Sequence, residues 1–251
     1  MNSLEKNVGS AWARLRFAAW LSVTIHVLAG IGLVAILRHG LASNADMFRR
    51  LEFIDGHHGL WASAWLTWNA AALTLLYFYL AFARASESDA NRSIGLLRLA
   101  VMLTAAAVAV DLSAEAIEMN VMPLLARQAL TRFETGGADS ALALVGMLDR
   151  SAVILSGYVA NGLYSLSAIL ITWSTRPFVP AWIWAAGSAT GGCGLVLAAA
   201  SLADWVAGMI GSTALLIPCI IFWQTAVAVH ANRQWVRVRP PCTAAAGDGS
   251  Q

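Results

Sequence analysis

Six apolar runs of roughly twenty residues, at 17–37, 60–82, 99–122, 152–173, 181–200 and 205–229, constrain this chain more than any motif in it. About twenty residues at ~1.5 Å each cross the ~30 Å hydrocarbon core of a bilayer. In that medium every backbone N–H and C=O needs an internal partner, and a run of this length meets the need as a helix. Hydrophobic residues make up 59% of the 251 and charged residues 12%, against about 25% charged in soluble domains. So little polar surface cannot cover a globule in water. The expected fold is all-α: a polytopic transmembrane helix bundle of six spans.

The segments between the runs divide the chain further. Residues 1–16 form a polar lead, 17–230 the six-helix transmembrane domain, and 231–251 a basic, then low-complexity, flexible tail. The first run follows Lys6, Arg14 and Arg16 and precedes a loose small-x-small match at Gly40-Leu41-Ala42. Its 21 residues exceed the roughly 7–15 of a signal core, so it is expected to be retained as a span. In the first connection, 45–54 has helical amphipathic periodicity; in the third, so do 123–133 and 139–148, around Gly136-Gly137. These pieces are too short to cross and are expected to be interfacial helices or a cap on the bundle. Pro123 is expected to end the third span. No repeat relates the two halves.

A net charge of +2 provides no basic face for nucleic acid. Lys and Arg are biased, ten against six, toward the side that holds both termini, so the termini are expected in the cytoplasm and the chain in the cell inner membrane. Cys193, Cys219 and Cys242 are widely spaced without a CxxC, and the two in spans read as small apolar fillers. Gly187, Gly191 and Gly194 fall on one face of the fifth span, where another helix could approach closely.

The third run carries Asp111, Glu115 and Glu118 at spacings of four and three, hence on one helical face, with Thr104 further along it. Each ionisable group inside a span costs roughly 2.5–3.5 kcal/mol against lipid, so this face should look into protein or a wet cavity. With the termini inside, Asp111, Glu115 and Glu118 lie in the outer half. His57 enters at that level, His26 sits at mid-depth, and Asn69, Tyr158 and Asn161 are the polar residues of neighbouring spans. Together they make the candidate ligand or ion pocket. Glu118, nearest the interface, should matter least.

Other chemistries have weaker support. His57, His58 and Glu115 are the candidate metal ligands, but no HExxH or HxxxH orders them. Haem would need two histidines at one depth, which only His39 with His57 or His58 could supply. No nucleophile elbow or flanked serine marks a hydrolase, and the sequence assigns no catalytic residue and no cofactor. Trp61, Trp65 and Trp68 form a one-sided stripe that reads as an aromatic belt at headgroup depth.

Three stretches carry a family resemblance: Asp46-Met47-Phe48-Arg49, the run Phe53-Ile54-Asp55-Gly56-His57 leading to the Trp stripe, and Asn161-Gly162-Leu163-Tyr164. In these the chain resembles six-helix bacterial integral-membrane families that carry only a domain-of-unknown-function label, which implies an architecture and no catalytic residues. Three functions fit these features. The foremost is proton- or cation-coupled transport or small-ligand binding at the acidic pocket. The second is an accessory or structural subunit of a membrane complex, and the third a metal- or haem-dependent membrane enzyme. The bilayer is the expected partner, with a homo-oligomer or a complex partner open.

Overall fold

The computed structural model describes residues 3–87, 94–134 and 139–238. Arg92, Arg239, Gly136-Gly137, Cys242 and the low-complexity tail lie outside the described residues. Helices dominate throughout: α1 (Ser3–Ala35), α2 (Met47–Gly56), α3 (His58–Ser86), α4 (Ile94–Ala116), α5 (Met122–Glu134), α6 (Asp139–Ala152), α7 (Asn161–Thr175), α8 (Ala181–Leu202) and α9 (Val206–Val238). Six helical stretches are long and apolar enough to cross a bilayer, and the chain is a multi-pass membrane protein with an all-α bundle.

The spans close into a ring. Around it α1 packs on α3, α3 on α4, α4 on α7, α7 on α8, α8 on α9, and α9 back on α1. At the end of the ring where α1 begins and α9 ends, the interior is filled by aromatic rings. Trp223 of α9 meets Phe78 edge-on at 5.5 Å and Tyr79 at 5.9 Å, with Phe82 alongside, all four buried.

Pro123 does not stop the third span. Residues Ile117–Val121 adopt a π turn and the helix runs on into α5, giving an unbroken stretch of 40 residues, Ile94–Phe133. A proline lacks the N–H for the carbonyl four residues back, and a wide turn absorbs the mismatch without ending the helix. In the same way α6 passes through a π segment, Val153–Ala160, into α7, a stretch of 37 residues. At ~1.5 Å per residue both are over 50 Å long, far beyond the ~30 Å core. Of their projecting ends, α5 packs on α2 and on α6, and α6 is tied to α2 by Arg50 and Asp149, so that the short amphipathic helices form a cap continuous with the spans.

A second hydrophobic core lies inside this cap, built from Leu37, Leu51, Ile54, Trp61, Trp65, Met122, Ala126 and Val145. The aromatic-belt reading of the Trp stripe is therefore corrected. Trp61 and Trp65 are buried under the cap, and the exposed tryptophans among the described residues are Trp20, Trp173, Trp182 and Trp205 instead. The turn joining α8 to α9 is held from the cap side. Arg150 donates to the Ser201 and Leu202 carbonyls at the end of α8, at 2.7 and 2.9 Å, and pairs with Asp204 at 3.0 Å. Asp204 sits at φ 55°, a left-handed position that Asp tolerates better than most residues.

Close helix approach sets the spacing of α7, α8 and α9. A Cβ on Gly191 would lie 2.6 Å from Ile169 Cγ1 and 3.1 Å from the Ser165 carbonyl, whereas one on Gly192 would meet nothing within 4 Å. Gly191→Leu should thus lower the thermal unfolding midpoint in detergent by the equivalent of ~1–3 kcal/mol of overpacking. Gly192→Leu should leave the midpoint unchanged, and equal effects from the two would contradict this packing.

Candidate functional site

Asp111 faces the bundle interior and is almost fully buried. One carboxylate oxygen accepts a 2.6 Å hydrogen bond from Ser156 Oγ and the other a 3.3 Å bond from the Tyr164 hydroxyl. Both donors come from the long helix α6–α7, one in its π segment and one beyond it. On a straight α-helix, residues eight apart are rotated by about 80° from each other. One residue taken up by the wide turn makes them behave as if seven apart, within about 20°. The π segment is thus what aims Ser156 and Tyr164 at the same carboxylate.

Asn161 supports that arrangement from behind. Its Nδ2 donates to the Ser156 carbonyl at 2.8 Å, the same carbonyl that accepts the Asn161 backbone N–H in the π geometry. Tyr158, placed in the pocket by sequence reasoning, turns away and is 40% exposed on the outer surface of the bundle. The phase shift that recruits Ser156 and Tyr164 is what removes it. Thr104 is buried but donates to its own helix at the Ala100 carbonyl.

Glu115, one turn along α4 from Asp111, is 0% exposed, and neither carboxyl oxygen has a hydrogen-bond partner. Asp111 and Glu115 interact electrostatically, and both act on the Tyr164 phenol, which also feels Tyr79 of the aromatic plug. Facing α4, the buried end of α3 leaves two more polar atoms without partners, Trp65 Nε1 and Asn69 Oδ1, while Asn69 Nδ2 donates to Met119 Sδ at 3.4 Å. Trp61 Nε1 donates at 2.7 Å to the Glu118 carbonyl, freed by the π turn, and so fixes the antiparallel register of α3 against α4.

Glu118 itself is buried under the cap, contrary to the expectation of an interfacial, hydrated position. The third span does not stop at Pro123, and its continuation into α5, with α6 beside it, covers the residue. Glu118 shares this place with Arg50 and Asp149, whose charges act on it. Arg50 donates to the Gly40 carbonyl at 3.0 Å and to Asp149 at 3.1 Å, with only 7% of its side chain exposed.

The histidines do not join this site. His57 and His58 lie on the exposed surface, and the His57 ring stacks on Phe53 at 4.9 Å. His39 packs on Phe53 as well, at 5.3 Å. His26 belongs to a separate polar cluster between α1 and α9, where it contacts the Ser22 carbonyl at 2.8 Å and Gln224 Nε2 donates to Ser22 Oγ at 2.9 Å. Among the described residues, no three His, Cys, Asp or Glu side chains gather in a way that could hold a metal ion. Ser156, Tyr164 and Trp65 are the site residues that sequence spacing did not select. Their signal, a break in helical phase between Pro123 and Asn161, is not visible in period alone.

Removing Arg50 leaves the buried Glu118 and the Gly40 carbonyl, and the partly buried Asp149, without their cation. Arg50→Ala should destabilise by ~3–5 kcal/mol, against ~0–1 kcal/mol for Arg49→Ala, whose ion pair with Asp46 is exposed. Thermal unfolding in detergent measures both. No protein-family model, curated protein or solved structure matches the chain.

Proposed function

We propose that the chain is a proton-handling membrane protein in which Asp111 and Glu115 form the exchange site of a transport or ligand-coupled cycle. The observation that carries this reading is Glu115, fully buried in a span with both oxygens unpartnered, one turn from a second carboxylate that is hydrogen-bonded. A buried carboxyl without a donor is costly in a bilayer-spanning helix, and residues kept in that condition mark ion and proton pathways. A proton is the one cation that needs no coordination shell, which suits a fully buried carboxyl whose two oxygens have no other polar partner.

A path accompanies the pair. Glu118 lies toward the cap, Glu115 and Asp111 follow along α4, Tyr164 contacts Asp111, and Tyr79 adjoins the aromatic plug at the far end. The plug and the cap close the path at its two ends, as a protein with alternating access requires. In this reading the chain lies in a bacterial inner membrane with both termini cytoplasmic and the acidic site toward the outer face. The cap-side arginines Arg50, Arg127 and Arg150 are occupied with Asp149, Asp55 and Asp204, which is in keeping with that orientation.

The test is proton flux in reconstituted vesicles with an internal pH dye. The wild-type chain should collapse an imposed proton gradient faster than protein-free vesicles, and Glu115→Gln should reduce the rate to the protein-free level while leaving the thermal midpoint within a few degrees. A wild-type rate equal to that of empty vesicles contradicts the proposal, as does a Glu115→Gln chain that conducts normally.

A further inference from the structure

The two cysteines that sequence reasoning took for fillers come together in the fold. Cys193 stands near the middle of α8 and Cys219 on α9, and the thiols are within hydrogen-bonding reach of each other. Independent contacts fix this register. A Cβ on Gly187 would touch Trp223 and one on Gly194 would reach Leu216 at 3.8 Å, so Cys193 is level with Ile217 and Cys219 with Gly191. The two sulfur-bearing residues are therefore offset by two positions along antiparallel helices, about 3 Å. The tightest approach of the α8 glycines is to Thr172, Ile169 and Ser165 of α7, so what brings the two thiols together is the small axial offset, and a disulfide needs Cα atoms within about 7 Å.

Access is from the lipid side. Both cysteines are half-buried, and the adjacent Gly192 and Pro218 are exposed and flat. Nothing lies within 4 Å of the Gly192 Cβ position, which leaves an opening beside Cys193. At mid-span only a reagent that dissolves in hydrocarbon arrives there.

We propose that Cys193 and Cys219 are a redox-active dithiol that is oxidised to a disulfide by a lipid-soluble quinone, joining α8 to α9. In the reaction one thiol sulfur adds to the quinone ring, forming a C–S bond. The second sulfur attacks the first, the S–S bond forms, and the C–S bonding pair returns to the ring. The two thiol protons end on the ring oxygens, so one quinone becomes one hydroquinone as the dithiol loses two electrons. Exchange with a small dithiol reverses the bond. The site is separate from the carboxylates of α4, and neither reading depends on the other.

The experiment uses the full chain carrying Cys242→Ser, reconstituted in lipid nanodiscs under argon and exposed to a short-tailed benzoquinone. The expected result is one hydroquinone per chain, loss of both alkylatable thiols, and a disulfide-linked peptide pair containing Cys193 and Cys219. Dithiothreitol should restore both thiols, and Cys193→Ser and Cys219→Ser should each abolish hydroquinone formation. Two thiols still alkylated after the quinone, disulfides between chains in place of the internal one, or undiminished hydroquinone yield from either serine variant would overturn the proposal.

Discussion

A carboxyl group in the middle of a spanning helix is costly against hydrocarbon, and α4 with the π turn that continues it carries three, Asp111, Glu115 and Glu118. That constraint propagates through the rest of the structure. It requires α3 and α7 to present donors or a sealed interior to α4, and the described contacts are of that kind: Ser156 and Tyr164 on Asp111, Trp61 on the Glu118 backbone, Arg50 beside the Glu118 side chain. The two π segments are the local means. Each frees a carbonyl or shifts helical phase where a straight helix would misdirect the side chains.

The ring of spans, the aromatic plug and the cap follow from different physics. Trp223, Phe78, Tyr79 and Phe82 fill one end of the ring because large rings fill a lumen too wide for aliphatic side chains alone. The cap exists because α5 and α6 continue their parent helices past the membrane and must bury one apolar face each, which they do on α2 and on one another. Burying that face also removes Trp61, Trp65, Arg50 and Glu118 from solvent. The acidic site is thereby enclosed by protein on every side described.

The six spans, the acidic face of α4 and the glycine face of α8 were legible in the sequence because length and helical period report them directly. What escaped was whatever depends on phase breaks or on the relation between distant helices. Pro123 reads as a terminator, yet a π turn carries the helix through it, and that one difference moves Glu118 from interface to interior. Period places Tyr158 with Asp111, but the second π segment substitutes Tyr164 and Ser156 and turns Tyr158 outward. His57 looked equivalent to Glu115 in depth, but depth says nothing about which way a residue at a helix junction points. Cys193 and Cys219 lie 26 positions apart, and only the α8–α9 register brings them together.

The central claim, that Asp111 is held across the α4–α7 interface by Tyr164, is tested most directly by a double-mutant cycle on thermal or denaturant unfolding in lipid-like detergent. Asp111→Asn and Tyr164→Phe are measured singly and together. A bonded, desolvated pair predicts a coupling energy of ~0.5–3 kcal/mol between the two substitutions. Effects that simply add would contradict the account and would place the acidic face of α4 against something other than α7.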